Sequence, residues 1–403
     1  MAAHWWQTLF TIIAALDTHR IDYTLSGESA LYAQHIELAG TPPITIELQW
    51  DLFHRARELF PAAQMPDETT LSFQQDGVSV TLFCRYNTVV ATDPYRLQIE
   101  REGHRLWVRS AYFYAAHLPE QDPIVQAIKR YWHTLQQQNT RLNQQAWTQE
   151  SYDAWVHRFG PAEAVASRLR KEPYQRLGTL APYLVTSSPV SSSARLTDEL
   201  AGKRIINLLG SHGLKATALA LCGAQVTVVD ISPENARYAL DVARAAGVTL
   251  HYLVSDVLMM PESERQNTYD LAIMELGILH YFVDLQPLFQ TVMQVLKPGG
   301  RLILQDFHPI STKLITSQGK KQKVSGNYFD PTIVETDVAF RKHLPDELQS
   351  RTGKVYQRRW TLGEIVTAAA RSGLLIRQLD EEPNLKKDDI GIPKLFTLVA
   401  EHP

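Results

Sequence analysis

The sequence predicts a two-part α/β chain, with a mostly parallel sheet over the C-terminal two-thirds and a separate N-terminal α+β domain. Three observations carry that reading. The 403 residues exceed what one hydrophobic core supports, which asks for at least two domains. From Arg204 onward, apolar strands alternate with stretches of helical pattern, the order expected of a parallel sheet. Before about residue 110 the strands alternate apolar and polar side chains instead, as strands with one covered face do.

Composition narrows the classes. With 44% hydrophobic and 21% charged residues and a net charge of -3, the chain is a folded globular protein. Its overall field does nothing to draw in a polyanion, so nucleic acid is not an expected partner. Cys84 and Cys222 lie far apart in apolar surroundings and read as buried free thiols. No tight His/Cys cluster occurs and the carboxylates are scattered, so no metal site is expected. The N-terminus lacks a basic start with a long apolar run, and the apolar stretches are too short to cross a bilayer; a cytoplasmic location without membrane partners is the expectation.

In the first domain, residues 5–16 (WWQTLFTIIAAL) form a helix that is apolar on most faces and so covered by its domain. A short strand then meets the turn Ser26-Gly27-Glu28-Ser29 and a helix. Residues 44–50 place Ile44, Ile46 and Leu48 on one strand face, and residues 95–109 form a hairpin turning at Glu102 and Gly103. This order resembles the nucleotidyltransferase-like fold, in which a Gly-Ser turn opens a helix and paired carboxylates on the next strand hold metal ions. Gly27, Ser29, Glu47 and Gln49 take those positions. Gln49 is neutral and cannot serve as the second anionic ligand, so the resemblance implies a non-catalytic domain kept for packing, dimerisation or substrate contact. Residues 119–145 read as a connecting helix with a glutamine-rich end, which puts the boundary at about 138 and the second domain at 139–403.

The second domain opens with short helices over residues 151–180, separated near Gly160 and Pro161, and a small-residue loop over 185–196. The most specific segment starts at Arg204: a strand, the turn Gly210-Ser211-His212-Gly213, a helix, and a strand ending at Asp230. Glycines there let the backbone approach a ligand closely, and an acid after the next strand can accept both hydroxyls of a ribose. The Gly-x-Gly-x-x-Gly cradle of a dinucleotide pyrophosphate is absent. A third strand ends at Ser255-Asp256, where an acid would meet an adenine amino group. Strand four runs out at Glu275-Leu276, and strand five follows the turn Lys297-Pro298-Gly299-Gly300. A helix over 362–371, a stop at Gly373 and two last strands complete the order.

The LKPGG turn leading into a strand resembles the class I S-adenosylmethionine (SAM)-dependent methyltransferase family, over about residues 150–401. That resemblance implies a seven-stranded, mostly parallel Rossmann-like sheet closed by a hairpin whose final strand is antiparallel, and SAM as cofactor. It assigns the cofactor to Gly210, Ser211, Gly213, Asp230, Ile231, Asp256, Val257 and Glu275, with Glu275 near the transferring methyl and the methionine amino group, and Ser211 with His212 toward the methionine end. It also makes the early helices a lid, with Tyr152, Trp155, Phe159 and Tyr174 either lining the cofactor or anchoring those helices.

For catalysis the candidates are Glu275, His280 and His308, because histidine is the side chain poised to take a proton near neutral pH. Tyr281 and Asp306 accompany them. The reaction implied is in-line methyl transfer to a small-molecule acceptor, gaining mainly from orientation and desolvation. An insertion at about 311–359 carries Lys320, Lys321, Lys323, Tyr328 and Phe329, which would cover the acceptor or attract an acidic substrate. Three other readings stay open: methylation of protein or RNA with the first domain as docking unit, a non-catalytic SAM-binding scaffold, and a nicotinamide enzyme. MELGIL stands where amino-methylating nucleic-acid enzymes carry Asn/Asp-Pro-Pro-Tyr. The extra domain offers surface for a homodimer.

Overall fold

The computed structural model describes residues 2–148, 150–185, 193–318, 321–384 and 391–403. It divides into two compact units, Met1–Leu135 with Phe329–Thr332, and Gln136–Tyr328 with Ile333–Pro403. Among the described residues no helix is long and apolar enough to cross a membrane.

The first unit is one mixed sheet with helices. Its strands are β1 (Tyr23–Leu25), β2 (Ile44–Leu48), β3 (Gln64–Asp67), β4 (Thr70–Gln75), β5 (Val78–Phe83), β6 (Arg96–Arg101) and β7 (His104–Arg109), in the order β3-β4-β5-β2-β1-β7-β6. Trp5, Leu9, Ile12 and Leu16 of the Ala2–Thr18 helix share a core with Leu25, Ile46, Leu82 and Val108. The polar groups that resembled a nucleotide site are spent internally. Glu47 is 1% exposed and paired with Arg109 at 2.7 Å. Gln49 accepts from the Val90 amide at 2.9 Å and donates to Asp51 at 2.7 Å, and Ser29 donates to the Ser26 carbonyl.

The second unit is built on a seven-stranded sheet in the order β10-β9-β8-β11-β12-β18-β17. Its members are β8 (Arg204–Leu208), β9 (Gln225–Asp230), β10 (His251–Val254), β11 (Tyr269–Glu275), β12 (Leu296–Phe307), β17 (Leu375–Pro383) and β18 (Pro393–Glu401). β10 through β12 run parallel, and β18 enters antiparallel to both its neighbours. The central strands are near-continuous apolar runs, Ile205-Ile206, Val228-Val229 and Leu271 to Met274, because helices cover both of their faces. The chain leaves β8 toward β9 and β10 and returns to β11 on the other side. That reversal opens a crevice at the C-terminal ends of β8 and β11.

Local chemistry places the flanking elements. Ser232 caps the Pro233–Ala246 helix by accepting from the Asn235 amide at 3.1 Å, with Pro233 in the first turn and Gly247 at the exit. Thr361 and Glu364 form a reciprocal capping box on the Leu362–Arg371 helix. In the turn that opens β12, a Cβ on Gly300 would lie 2.8 Å from the Lys297 carbonyl oxygen and 2.9 Å from that of Tyr269, so only glycine fits.

The structure differs from the sequence reading in one place, the loop over 185–196, and adds detail in two others. The division falls at Gln136 because this side chain already bonds within the second unit, donating to the Tyr281 carbonyl (3.1 Å) and accepting from the Val283 amide (2.7 Å). Part of the loop expected over 185–196 is helix from Ser193 to Leu200; residues 186–192 lie outside the described ones. The insertion over 311–359 forms two hairpins, β13 (Ile315–Gln318) with β14 (Lys321–Val324) and β15 (Ile333–Asp337) with β16 (Lys354–Arg358). Cys84 and Cys222 are both buried and free.

Gly213 has a packing role. It precedes the Leu214–Leu221 helix at φ +66°, and a Cβ there would lie 2.5 Å from the Ala239 Cβ on the neighbouring helix. Gly213→Ala should therefore destabilise the second unit by about 2 kcal/mol or more, the sum of left-handed strain and overpacking. Urea unfolding measures it; a change below about 0.5 kcal/mol, ordinary for an unstrained surface site, would refute the close approach.

Candidate functional site

The ends of β8, β9, β10 and β11 converge on a cavity of about 370 Å³. The chain leaves β8 through Leu209 at φ +53°, Gly210, and Ser211 at φ +47°. A Cβ on Gly210 would sit 2.6 Å from both Asn207 Oδ1 and Val228 Cγ1, so the turn is pressed against the sheet and needs that glycine. Two non-glycine residues held left-handed on either side of Gly210 cost energy that the surroundings must repay. Ser211 is fixed by donating its amide to Asp230 Oδ2 at 3.1 Å and accepting the Tyr252 hydroxyl on its carbonyl at 2.6 Å.

Asp230, at the end of β9, also accepts from the Ser232 amide and from Asn235 Nδ2, both at 3.0 Å. Burial raises its pKa, while these three donors favour the charged form. Asp256 follows β10 and caps the next turn by accepting from the Leu258 amide at 2.9 Å. Burial raises its pKa as well, opposed by that amide and by the Thr140 hydroxyl. Ile231 and Val257 line the cavity with the two acids.

Glu275, at the end of β11, lines the cavity and is ion-paired with Lys215 of the Leu214–Leu221 helix. The next residue, Leu276, is again left-handed at φ +50°. The loop after it hangs on Asp306, whose carboxylate accepts the amides of Gly277 (2.5 Å), Phe307 (2.7 Å), Leu279 (3.3 Å) and Ile278 (3.4 Å). Asp306, expected beside the bases, is thus the anchor of this loop and does not line the cavity.

The histidines separate. His280 lines the cavity, and its Nε2 is buried with no hydrogen-bond partner among the described residues. Burial, aided by the positive charge of Arg359, pushes its pKa down to about 4. His308, expected as a second base, is outside the lining and 1% exposed. Its Nδ1 accepts from the Ile310 amide at 3.1 Å, which leaves Nε2 to donate to Glu381 Oε1 at 2.7 Å. It joins β12 to β17 and is sealed from the crevice. His212 lines the cavity, and burial, then Arg176 and Lys215, push its pKa down to about 3.

Of the four aromatics expected in a lid, Trp155 lines the cavity and donates to Asn235 Oδ1 at 2.7 Å. Phe159 rests against Trp155 and His212, Tyr152 donates to Asp241, and Tyr174 packs on the hydrophobic core. Gly213, expected at the cofactor, lies behind the turn against Ala239 and does not line the cavity. From the insertion, Lys323, Tyr328 and Phe329 are not in the lining; Lys320 and the side chain of Lys321 lie outside the described residues.

Sequence reasoning missed one wall. Gln136, Thr140, Asn143 and Trp147 lie on one face of the Pro123–Thr148 helix and line the cavity. Asn143 exchanges hydrogen bonds with the Tyr356 backbone, and Trp147 Nε1 donates to the Tyr281 hydroxyl at 3.0 Å. Their helical spacing was a usable signal in a run read as a connector. Arg176, Phe307, Lys342 and His343 also line the cavity, with no motif to mark them.

A glycine turn pressed on the first strand, acids after the second and third, and a crevice at the reversal of a seven-stranded sheet define a class I methyltransferase domain, whose cofactor is SAM. Residues 209–304 match the family described as Methyltransferase domain. The chain is 33% identical over 112 residues to a ubiquinone biosynthesis O-methyltransferase of Xanthomonas axonopodis pv. citri, covering 28% of this chain and 45% of that one. The corresponding enzyme of Xanthomonas campestris pv. campestris is 30% identical over 105 residues, covering 26% and 43%. The chain thus spans less than half the length of the curated relatives it matches. Among solved structures, a SAM-dependent methyltransferase from Mesorhizobium loti aligns at TM-score 0.40 and 24% identity, covering 52% of this chain and 95% of that one. Magnesium protoporphyrin IX methyltransferase from Synechocystis aligns at TM-score 0.41 and 14% identity, covering 66% and 100%. The family match lies wholly in the second unit, and none of these matches supports the nucleotidyltransferase-like reading of the first.

His212 and His280 should stay neutral at pH 6, with midpoints near 3 and 4, when histidine-labelled protein is titrated by NMR. Unfolded, both would take up protons near 6.5, so as pH falls from there toward 4 they remove stability from the folded state. Ordinary titration of either ring near 6.5 would contradict its burial.

Proposed function

We propose that this chain transfers the methyl group of SAM to a small-molecule acceptor by in-line displacement. The observation that carries this is the Gly210–Ser211 turn bonded to Asp230, with Asp256 at the next strand end. The residues suit the cofactor: a Cβ at Gly210 would collide with the sheet, and the volume of about 370 Å³ lies in the range of ligand sites. Asp230 would hold the ribose hydroxyls, Asp256 the adenine amino group, and Ile231 and Val257 the ring faces. Gly210, Ser211 and Arg176 would meet the methionine end. When bound, SAM supplies a methyl made electrophilic by its sulfonium.

The chain's own contribution is to orient, to exclude water and to manage a proton. Trp147, Trp155, Ile278, Phe282 and Phe307 give the cavity apolar walls that desolvate a bound acceptor. Glu275 is already neutralised by Lys215, which suits holding the methionine end better than acting as a base. His280 stays uncharged at neutral pH, and its unpartnered Nε2 can take a hydrogen bond or a proton from an acceptor hydroxyl. The O-methyl transfer in the names of the curated relatives agrees with an oxygen acceptor. For the first unit, with Glu47 and Gln49 used internally, we propose a non-catalytic part in packing, dimerisation or substrate contact.

Isothermal titration of ligand-free protein should give micromolar binding of SAM and S-adenosylhomocysteine and none of NAD. Asp230→Ala, checked for folding by circular dichroism, should weaken SAM by about tenfold or more through the loss of charge-assisted hydrogen bonds. Absence of SAM binding by folded wild-type protein would overturn the proposal.

A further inference from the structure

Once the glycine turn, Asp230 and Asp256 are given to the cofactor, the rest of the cavity contains no free carboxylate among the described residues. Glu275 is paired with Lys215, and Asp306 is consumed by four amides outside the lining. Cations are in surplus. Arg176 and Lys342 both line the cavity, and neither makes a hydrogen bond or ion pair among the described residues; Arg176 Nε is buried without a partner. The cofactor carries one carboxylate, enough for one of the two. Arg176, seated over the Phe159 ring near His212, is the one beside the glycine turn, which leaves Lys342.

The imidazoles in the lining report the same field. Burial is the main cause that lowers each of them, and every charged neighbour acting on them is positive: Arg176 and Lys215 on His212, Arg359 on His280, Lys342 and Arg158 on His343. An ammonium entering here would lose its hydration, find no counter-ion, and lie beside a sulfonium. An anion would find a ready partner. Phe307, 43% exposed, and Ile278 offer apolar surface for the rest of such a molecule.

Resting on the methyl-transfer reading, we propose that the acceptor is an anionic molecule, bearing a carboxylate or phosphate on an apolar body, and is not an amine. Lys342 takes the anion, Phe307 and Ile278 take the body, and His280 Nε2 meets the hydroxyl. The test is binding to protein saturated with S-adenosylhomocysteine, using 4-hydroxybenzoate, phenol and tyramine as probes in ligand-observed NMR and calorimetry. 4-Hydroxybenzoate should bind about tenfold or more tightly than either of the others. Lys342→Ala should erase that advantage while leaving affinity for S-adenosylhomocysteine unchanged, since this exposed side chain supports no core. Tyramine binding as tightly as 4-hydroxybenzoate, no detectable 4-hydroxybenzoate binding at millimolar concentration, or a preference that survives in Lys342→Ala would overturn the proposal. Failure of S-adenosylhomocysteine itself to bind would instead bring down the cofactor reading, and this inference with it.

Discussion

The carboxylate of Asp230 ties together two backbone amides and one side chain from three neighbouring segments. It takes the amide of Ser211 from the turn after β8, the amide of Ser232 just beyond its own strand, and the side chain of Asn235 from the next helix. A buried charge is tolerable only when donors surround it, so the cost of burying Asp230 is offset by the same bonds that shape the turn. Leu209 and Ser211 can remain left-handed because this carboxylate and the Tyr252 hydroxyl hold Ser211 from two sides. Without that anchor the backbone at Gly210 would be free to relax away from the cavity.

Asp306 plays the corresponding part on the other side of the reversal. It sits at the end of β12, yet it sets the path of the loop that follows β11 by collecting that loop's amides. His280 is carried by this loop, so its place at the cavity follows from a residue that never touches the ligand space. Each side of the crevice is therefore organised by one buried acid, and in both cases the acid belongs to the strand adjoining the one whose loop it holds.

Much of the second unit was legible in the sequence because parallel strands buried on both faces must be apolar runs, and because a glycine turn and strand-end acids recur at fixed places in such a sheet. Those grounds placed Asp230, Asp256 and Glu275 at strand ends, and all three line the cavity. Less legible was which way a strand-end side chain faces: His308 and His280 both follow strands at the crevice edge, but Glu381 and the Ile310 amide claim the first. Gly213 looked like a ligand glycine and proved to be a helix-packing one, a distinction that depends on Ala239, far along the chain. Lys342 and His343 carry no motif at all, since their relevance arises only when the insertion folds.

The wall formed by Gln136, Thr140, Asn143 and Trp147 bears on how this protein can be divided or recombined. Family similarity begins at residue 209, but one side of the ligand space is written more than sixty residues earlier, in a helix that reads as a spacer. A gene fusion or exchange made at the limits of the recognisable cassette would transplant the sheet and its acids with one side of the chamber missing. Modularity in this chain therefore follows the cavity and not the homology, and the smallest inheritable unit of the site starts at Gln136.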